Sequence, residues 1–160
     1  MIYTFTHSMF SRQFAIALLM ILCSGCASSI SPRDFFDKEY DQAGSRFKGY
    51  SIPDQINIYL YGMQSVTPPA TVLSRQIAEH GQAAIPHLLG ALGRNPADQN
   101  VKDLMVVFEA MQNIGIYNVQ NDPILMRKLE GYVNGMAKGI GYGYTRGTLD
   151  RIKHFKYDIN

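Results

Sequence analysis

From residue 52 onward, hydrophobic residues recur at the spacing of an α-helix. Behind Pro53, the positions i, i+3, i+4 and i+7 are occupied by Ile56, Tyr59, Leu60 and Met63. Residues at this spacing lie on one face of a helix, and proline is favoured in a first turn, where its missing N–H group is not needed. The pattern therefore predicts a first helix that begins near Pro53.

Two more helices are marked by prolines at their starts and glycines at their ends. Thr67, which is followed by two prolines, predicts a helix over residues 67–81. Ile85, which is followed by one proline, predicts a helix over residues 85–93. Both predicted helices end in glycine, the residue that most readily takes the left-handed conformation found at helix ends.

A longer helix is predicted after the polar segment at residues 94–100. Its hydrophobic residues cover one face and spread onto the next, so the helix is expected to lie sandwiched between neighbours. Asn121 and Asp122, which are followed by Pro123, predict the capped start of a further helix. Because strand patterns are weak, the sequence predicts an all-α fold of paired antiparallel helices joined by short turns. The residues of these two faces are Val101, Leu104, Met105, Val106, Val107, Phe108, Ala110 and Met111, then Leu125, Leu129, Tyr132, Val133 and Met136.

The segment QAAIPHLLGALGRNPADQNVKDLMVVFEAMQNIG, residues 82–115, resembles a HEAT repeat. The helix-opening Pro86 and Pro123 are 37 residues apart, and Gly81 and Gly115, which end their helices alike, are 34 apart. The resemblance implies stacked helix pairs in a short right-handed array, because a single pair cannot bury its apolar face alone. An irregular helical bundle is the alternative.

The first 25 residues carry a different pattern. Arg12 precedes an apolar run over residues 14–22, which is shorter than the roughly 20 residues of a membrane span and typical of a signal peptide. The sequence LCSGC, residues 22–26, resembles the lipobox of bacterial lipoproteins. The resemblance implies that Cys26 is lipidated and becomes the first residue of the mature chain. An ordinary secreted protein cut near Ala27 is the alternative.

This interpretation divides the chain into a signal peptide at residues 1–25, a lipid-anchored tether at 26–51 and a helical HEAT-like domain at 52–160. Ala27 stands where an aspartate retains lipoproteins in the inner membrane, so the resemblance implies the periplasmic face of the outer membrane. The tether is expected to be partly ordered, with a short helix near residues 34–40, since a purely solvated linker rarely contains so many aromatic residues. These are Phe35, Phe36, Tyr40, Phe47 and Tyr50.

Glycine recurs every four residues over 131–147. The first three of these glycines would share a helix face and let another helix approach closely. Because each glycine weakens a helix by about 1 kcal/mol relative to alanine, the helix is predicted to fail near residues 138–141. The sequence then predicts a flexible recognition loop in which Tyr142, Tyr144 and Arg146 contact a partner. A tight turn with locally packed tyrosines is the alternative.

No cofactor, metal site or catalytic group is predicted. Past the signal peptide the histidines are His80, His87 and His154, and the only close pairing expected is between Asp150 and His154, which is too few ligands for a zinc site. The whole chain has 15 Lys and Arg against 13 Asp and Glu, a balance that offers no basic field for nucleic acid.

These observations favour a non-catalytic outer-membrane lipoprotein that binds an envelope protein in the periplasm, as an assembly or interaction accessory. One alternative is an immunity or exclusion lipoprotein that neutralises a toxin or a phage component. A further alternative is a carrier of a small ligand, which would need an enclosed apolar cavity.

Overall fold

The computed structural model describes residues 30–40 and 46–156, so the predicted lipid site Cys26 lies outside the described residues. The two described stretches form α-helices and short 3-10 helices and contain no strand, which confirms the predicted all-α class. The α-helices are α1 (Pro32–Lys38), α2 (Ile52–Ser65), α3 (Leu73–Ala78), α4 (Ile85–Arg94), α5 (Asp98–Asn113), α6 (Pro123–Gly135) and α7 (Ile140–Lys153). The 3-10 helices are Phe47–Gly49, Gly81–Ala84 and Val119–Asn121.

Three successive helix pairs, α2 with α3, α4 with α5 and α6 with α7, pack against one another. The most extensive contacts join the second helices of these pairs, because α5 packs on α3 along one side and on α7 along another. This packing of paired helices is consistent with both predicted arrangements, a helical array and a helical bundle. Leu104 and Phe108 of α5 are fully buried, which confirms that the long helix is sandwiched.

The two glycines predicted to end helices alike take the same backbone conformation. Gly81, just after α3, has φ +54°, and Gly115, just after α5, has φ +71°. Both angles lie in the left-handed region, which glycine adopts without steric cost. A Cβ atom at Gly81 would also lie 2.8 Å from a side-chain carbon of Ile116. The ends of α3 and α5 therefore touch, as stacking of successive pairs requires.

Side chains cap three helix starts. The hydroxyl oxygens of Ser31 and Ser51 each accept a hydrogen bond of 3.3 Å from a backbone N–H group in the first turns of α1 and α2. The carboxylate of Asp122 accepts bonds of 3.1 and 2.9 Å from the first-turn N–H groups of α6. Such caps satisfy backbone donors that have no partner within the helix. The predicted capped start of a helix at residues 121–123 is confirmed, and Asp122 is the capping residue.

The predicted start of α3 at Thr67 is wrong. The structure begins this helix at Leu73 and leaves Pro68 and Pro69 in the connection from α2. A residue that precedes proline is pushed out of the α region, and this applies both to Thr67 and to Pro68 itself. The connection instead turns back onto α2, where the N–H group of Ala70 donates to the carbonyl of Gly62 at 3.3 Å.

The segment before residue 52 contributes to the hydrophobic core. Phe35 and Phe47 have no exposed surface, and the ring of Phe35 lies 5.8 to 5.9 Å from the rings of Tyr50 and Phe47 at steep angles. Edge-to-face packing of this kind stabilises aromatic pairs beyond the area that they bury. The expected ordering of the aromatic residues and the short helix, α1, are confirmed, and the packed core extends N-terminal of residue 52.

Close contact between α1 and α2 requires a glycine. A Cβ atom at Gly62 would collide with the ring of Phe36 and would lie 2.8 Å from the Cβ of Ala70. Real Cβ atoms do not approach other carbons this closely. Gly62 therefore sets how near α1 and the proline connection can come to α2.

A polar cluster joins α2 to α5 around the buried Asp103. Its carboxylate accepts hydrogen bonds from the side-chain amides of Gln64, at 3.2 Å, and Gln99, at 3.0 and 3.2 Å. Lys102 lies 3.8 Å away, and the Tyr59 hydroxyl donates to the backbone carbonyl of Asp103 at 2.9 Å. Burial nevertheless raises the pKa of the Asp103 carboxyl, because removal from water disfavours its charged form.

This raised pKa predicts that ionisation of Asp103 lowers the stability of the folded protein as pH rises. The folded protein holds the proton more tightly than the unfolded chain, so the stability due to this group is greatest below the ordinary pKa of 3.8 and falls as pH rises to the folded value. In urea denaturation from about pH 3 to 7, the free energy of unfolding of the wild type should decline relative to that of Asp103→Asn and then run parallel to it. A wild-type free energy of unfolding that rises with pH relative to that of Asp103→Asn would contradict this prediction.

None of the helices in the described ranges combines the length and the apolar character that crossing a bilayer requires.

Candidate interaction surface

The residues predicted to bind a partner lie on a helix and not in a loop. Tyr142, Tyr144 and Arg146 all belong to α7, which runs from Ile140 to Lys153. The prediction of a flexible loop is therefore wrong. The assignment of these residues to partner binding is a separate question, which depends on where each side chain points.

Burial on α5 keeps α7 helical in spite of its glycines. Leu149 and Ile152 are fully buried, and so are the two threonines of the same face. The hydroxyl of Thr145 donates to the carbonyl of Gly141 at 2.8 Å, and that of Thr148 donates to the carbonyl of Tyr144 at 3.2 Å. Tertiary packing of one face usually outweighs intrinsic helix propensity. The inner face of α7 is therefore both apolar and satisfied in its hydrogen bonds.

The break between α6 and α7 lies at residues 136–139, so it overlaps only the first part of the predicted interval 138–141.

Close approach of another helix at Gly131, Gly135 and Gly139 is not observed, because a Cβ atom at each would meet nothing within 4 Å. Within the described part of the chain, these glycines do not serve helix packing.

The structure separates Tyr142 from Tyr144. Residues two apart on a helix do not share a face, and Tyr142 is half-buried against the core while Tyr144 is 53% exposed. The amino group of Lys138 lies 3.6 Å from the centre of the Tyr142 ring, in a cation–π contact. Tyr142 is therefore engaged within the protein, whereas Tyr144 offers its ring to solvent.

The exposed side of α7 forms a surface that we call the open face, which consists of Ile140, Gly143, Tyr144 and Gly147. Ile140 is 96% exposed, and it lies one turn before Tyr144. A Cβ atom at Gly143 would meet nothing within 4 Å, and one at Gly147 would make only an ordinary contact of 3.6 Å with Arg151. Two large exposed side chains, Ile140 and Tyr144, thus lie beside helix backbone that carries no side chains at Gly143 and Gly147.

Two ion pairs lie next to the open face. Arg146 lies 3.4 Å from Asp150 on the same helix, with both side chains partly exposed. Arg151, one turn after Gly147, donates to both carboxylate oxygens of Glu109 on α5, at 2.5 and 3.2 Å. This bidentate contact raises the pKa of the Arg151 guanidinium and joins α7 to α5. Arg146 therefore lies on a helix, where it pairs with Asp150, and not in the predicted flexible loop.

An open groove of about 570 Å³ continues the open face at the C-terminal end of α7. Gly147, Asp150 and Arg151 line it from α7, and His154 and Lys156 line it from the segment that follows. The expected side-chain pair between Asp150 and His154 is not observed. The Asp150 carboxylate pairs with Arg146, and only the backbone N–H group of His154 bonds to Asp150, at its backbone carbonyl.

No group of three or more His, Cys, Asp or Glu side chains is arranged to hold a metal ion within residues 30–40 and 46–156. Comparison of the chain with protein-family models, with curated proteins and with solved structures finds no match.

Sequence reasoning identified Tyr144 but missed Ile140, the most exposed of the large hydrophobic side chains described. A signal for Ile140 does exist, because it lies four residues before Tyr144 and three before Gly143. That spacing defines a helix face, but it becomes visible only once residues 140–153 are known to be helical.

Proposed function

We propose that this protein is a non-catalytic lipoprotein of the outer membrane, and that it binds an envelope protein in the periplasm through the open face of α7. The observation that carries the binding proposal is the exposure of Ile140 beside Tyr144. Covering an aliphatic side chain of this size stabilises a complex by roughly 1.5–3 kcal/mol. Tyrosine also contributes strongly where it becomes buried in an interface.

The glycines of the open face support the same proposal. A glycine in a helix costs about 1 kcal/mol of stability relative to alanine, and Gly143 has open space where a Cβ would fit. Its absence of a side chain therefore serves no packing purpose among the described residues. A partner helix could approach the α7 backbone closely at this point, as it does at other small-residue surfaces.

Lipid anchoring at Cys26 would hold the domain at the membrane. Ile30, where the described structure begins, lies only four residues after Cys26. A fully extended chain spans at most about 3.6 Å per residue, so this tether reaches about 14 Å. Ile30 already packs against the hydrophobic core. The partner that fits this geometry is itself located at or near the membrane surface.

Site-specific photocrosslinking in living cells tests the proposal. A photoreactive amino acid in place of Ile140 should give one discrete protein adduct, whereas the same group in place of His87, an exposed residue of α4, should give none. Equal adducts at both positions, or none at Ile140, would show that the open face is not a docking site.

The Gly143→Ala variant separates docking from folding. It should raise the free energy of unfolding by up to about 1 kcal/mol and still reduce the adduct formed at position 140. The identity of the adduct then distinguishes the two protein-binding functions, since a resident envelope protein supports assembly and an incoming toxin or phage protein supports immunity.

A further inference from the structure

The charge of the protein is distributed unevenly between its helix pairs. Residues 123–156, which contain α6 and α7, include seven Lys or Arg and only two Asp or Glu, a net charge of +5. Residues 30–122 include seven Lys or Arg and ten Asp or Glu, a net charge of −3. The open face therefore belongs to the basic part of a domain that is nearly neutral as a whole.

The acidic residues of the basic part are already paired. Glu130 lies 2.5 Å from Lys153, and Asp150 lies 3.4 Å from Arg146. Lys138, just before α7, forms no ion pair with any described residue, and neither does Lys156 in the groove. These two lysines flank α7 at its two ends, and the helix itself is about 20 Å long at 1.5 Å per residue.

From this arrangement, and resting on the proposed function, we infer that the segment that covers the open face is an acidic protein helix. Its carboxylates lie over Lys138 and Lys156, and its small or apolar residues meet Ile140, Tyr144 and the backbone at Gly143. Charge complementarity of this kind selects the partner and fixes its orientation.

A lipid surface fits the same observations less well. Helices that lie in a membrane interface present a broad face of bulky apolar residues to the acyl chains. The open face offers only Ile140 and Tyr144, and its remaining positions, Gly143 and Gly147, have no side chain to insert. The basic charge is therefore better matched by carboxylates of a protein than by anionic lipid headgroups.

Charge reversal combined with photocrosslinking tests the inference in the full-length anchored protein. With the photoreactive group at position 140, Lys138→Glu combined with Lys156→Glu should reduce the yield of the protein adduct at least tenfold. The matched control, Lys138→Arg combined with Lys156→Arg, should retain the yield, because it conserves charge at both exposed positions. Thermal unfolding of each variant establishes that both remain folded.

Each result has a defined meaning. A protein adduct that survives charge reversal would overturn the acidic-helix inference and leave the docking function standing. A lipid adduct at position 140 in place of a protein adduct would overturn the inference in favour of a membrane surface. If the protein with both lysines unchanged gave no adduct at position 140, that result would overturn the docking function and, with it, the inference.

Discussion

Replacing Cys26 with serine should abolish incorporation of a palmitate analogue and leave the signal peptide uncleaved or cut at another position. In the proposed lipobox, Ser24 and Gly25 are the small residues that a lipoprotein peptidase would accept before Cys26. Metabolic labelling followed by gel analysis measures the effect, which is expected to be all or none because serine has no sulfur atom to acylate.

Cys23 supplies the matched control within the same five residues. It follows Ile21 and Leu22, whose bulk would obstruct the same cut, so Cys23→Leu should preserve labelling. Leucine is also the usual residue at this position of a lipobox, and the variant is therefore expected to be labelled at least as well as the wild type. Labelling that survives Cys26→Ser would remove both the anchor and the outer-membrane location from the proposed function.

Replacing Phe35 with alanine should lower the free energy of unfolding by about 3–5 kcal/mol, the usual cost of deleting a fully buried aromatic ring. Phe35 has no exposed surface and packs against four aromatic rings, two of which belong to residues 46–50. Urea denaturation of the chain from residue 27 onward measures the change.

Tyr144→Ala is the control for this experiment, because it deletes an aromatic ring of similar size from the exposed face of α7. Its effect on stability should stay within about 0.5 kcal/mol, as for most surface substitutions. If Phe35→Ala were no more destabilising than Tyr144→Ala, the segment before residue 52 would not be part of the folded core.

The local rules of helix formation made much of this fold predictable. Hydrophobic residues at helical spacing, Asp122 before Pro123 and glycines after α3 and α5 each act through the backbone of their own segment, so their consequences can be deduced without knowing the neighbours. The same reasoning failed at Thr67. Proline is favoured in the first turn of a helix, but the residue that precedes a proline is kept out of the helical conformation, and with two consecutive prolines the second effect prevailed.

Tertiary structure decided what the glycine-rich segment became. Its composition alone predicts a loop, because every glycine weakens a helix, whereas burial of Leu149 and Ile152 on α5 holds residues 140–153 helical. That outcome places Ile140 and Tyr144 on one exposed face and turns Tyr142 toward the core. The close contact at Gly62 was likewise unpredictable, since it depends on where Phe36 and Ala70 meet α2.

The sequence by itself thus determined the helical class and most helix boundaries, because each depends on residues that are neighbours along the chain. Only the tertiary structure decided which side of α7 is buried and which is open, because that choice depends on contacts with α5, a helix whose centre lies about 40 residues earlier. The candidate interaction surface is therefore a product of helix packing, and its residues are adjacent only because α7 folds against α5.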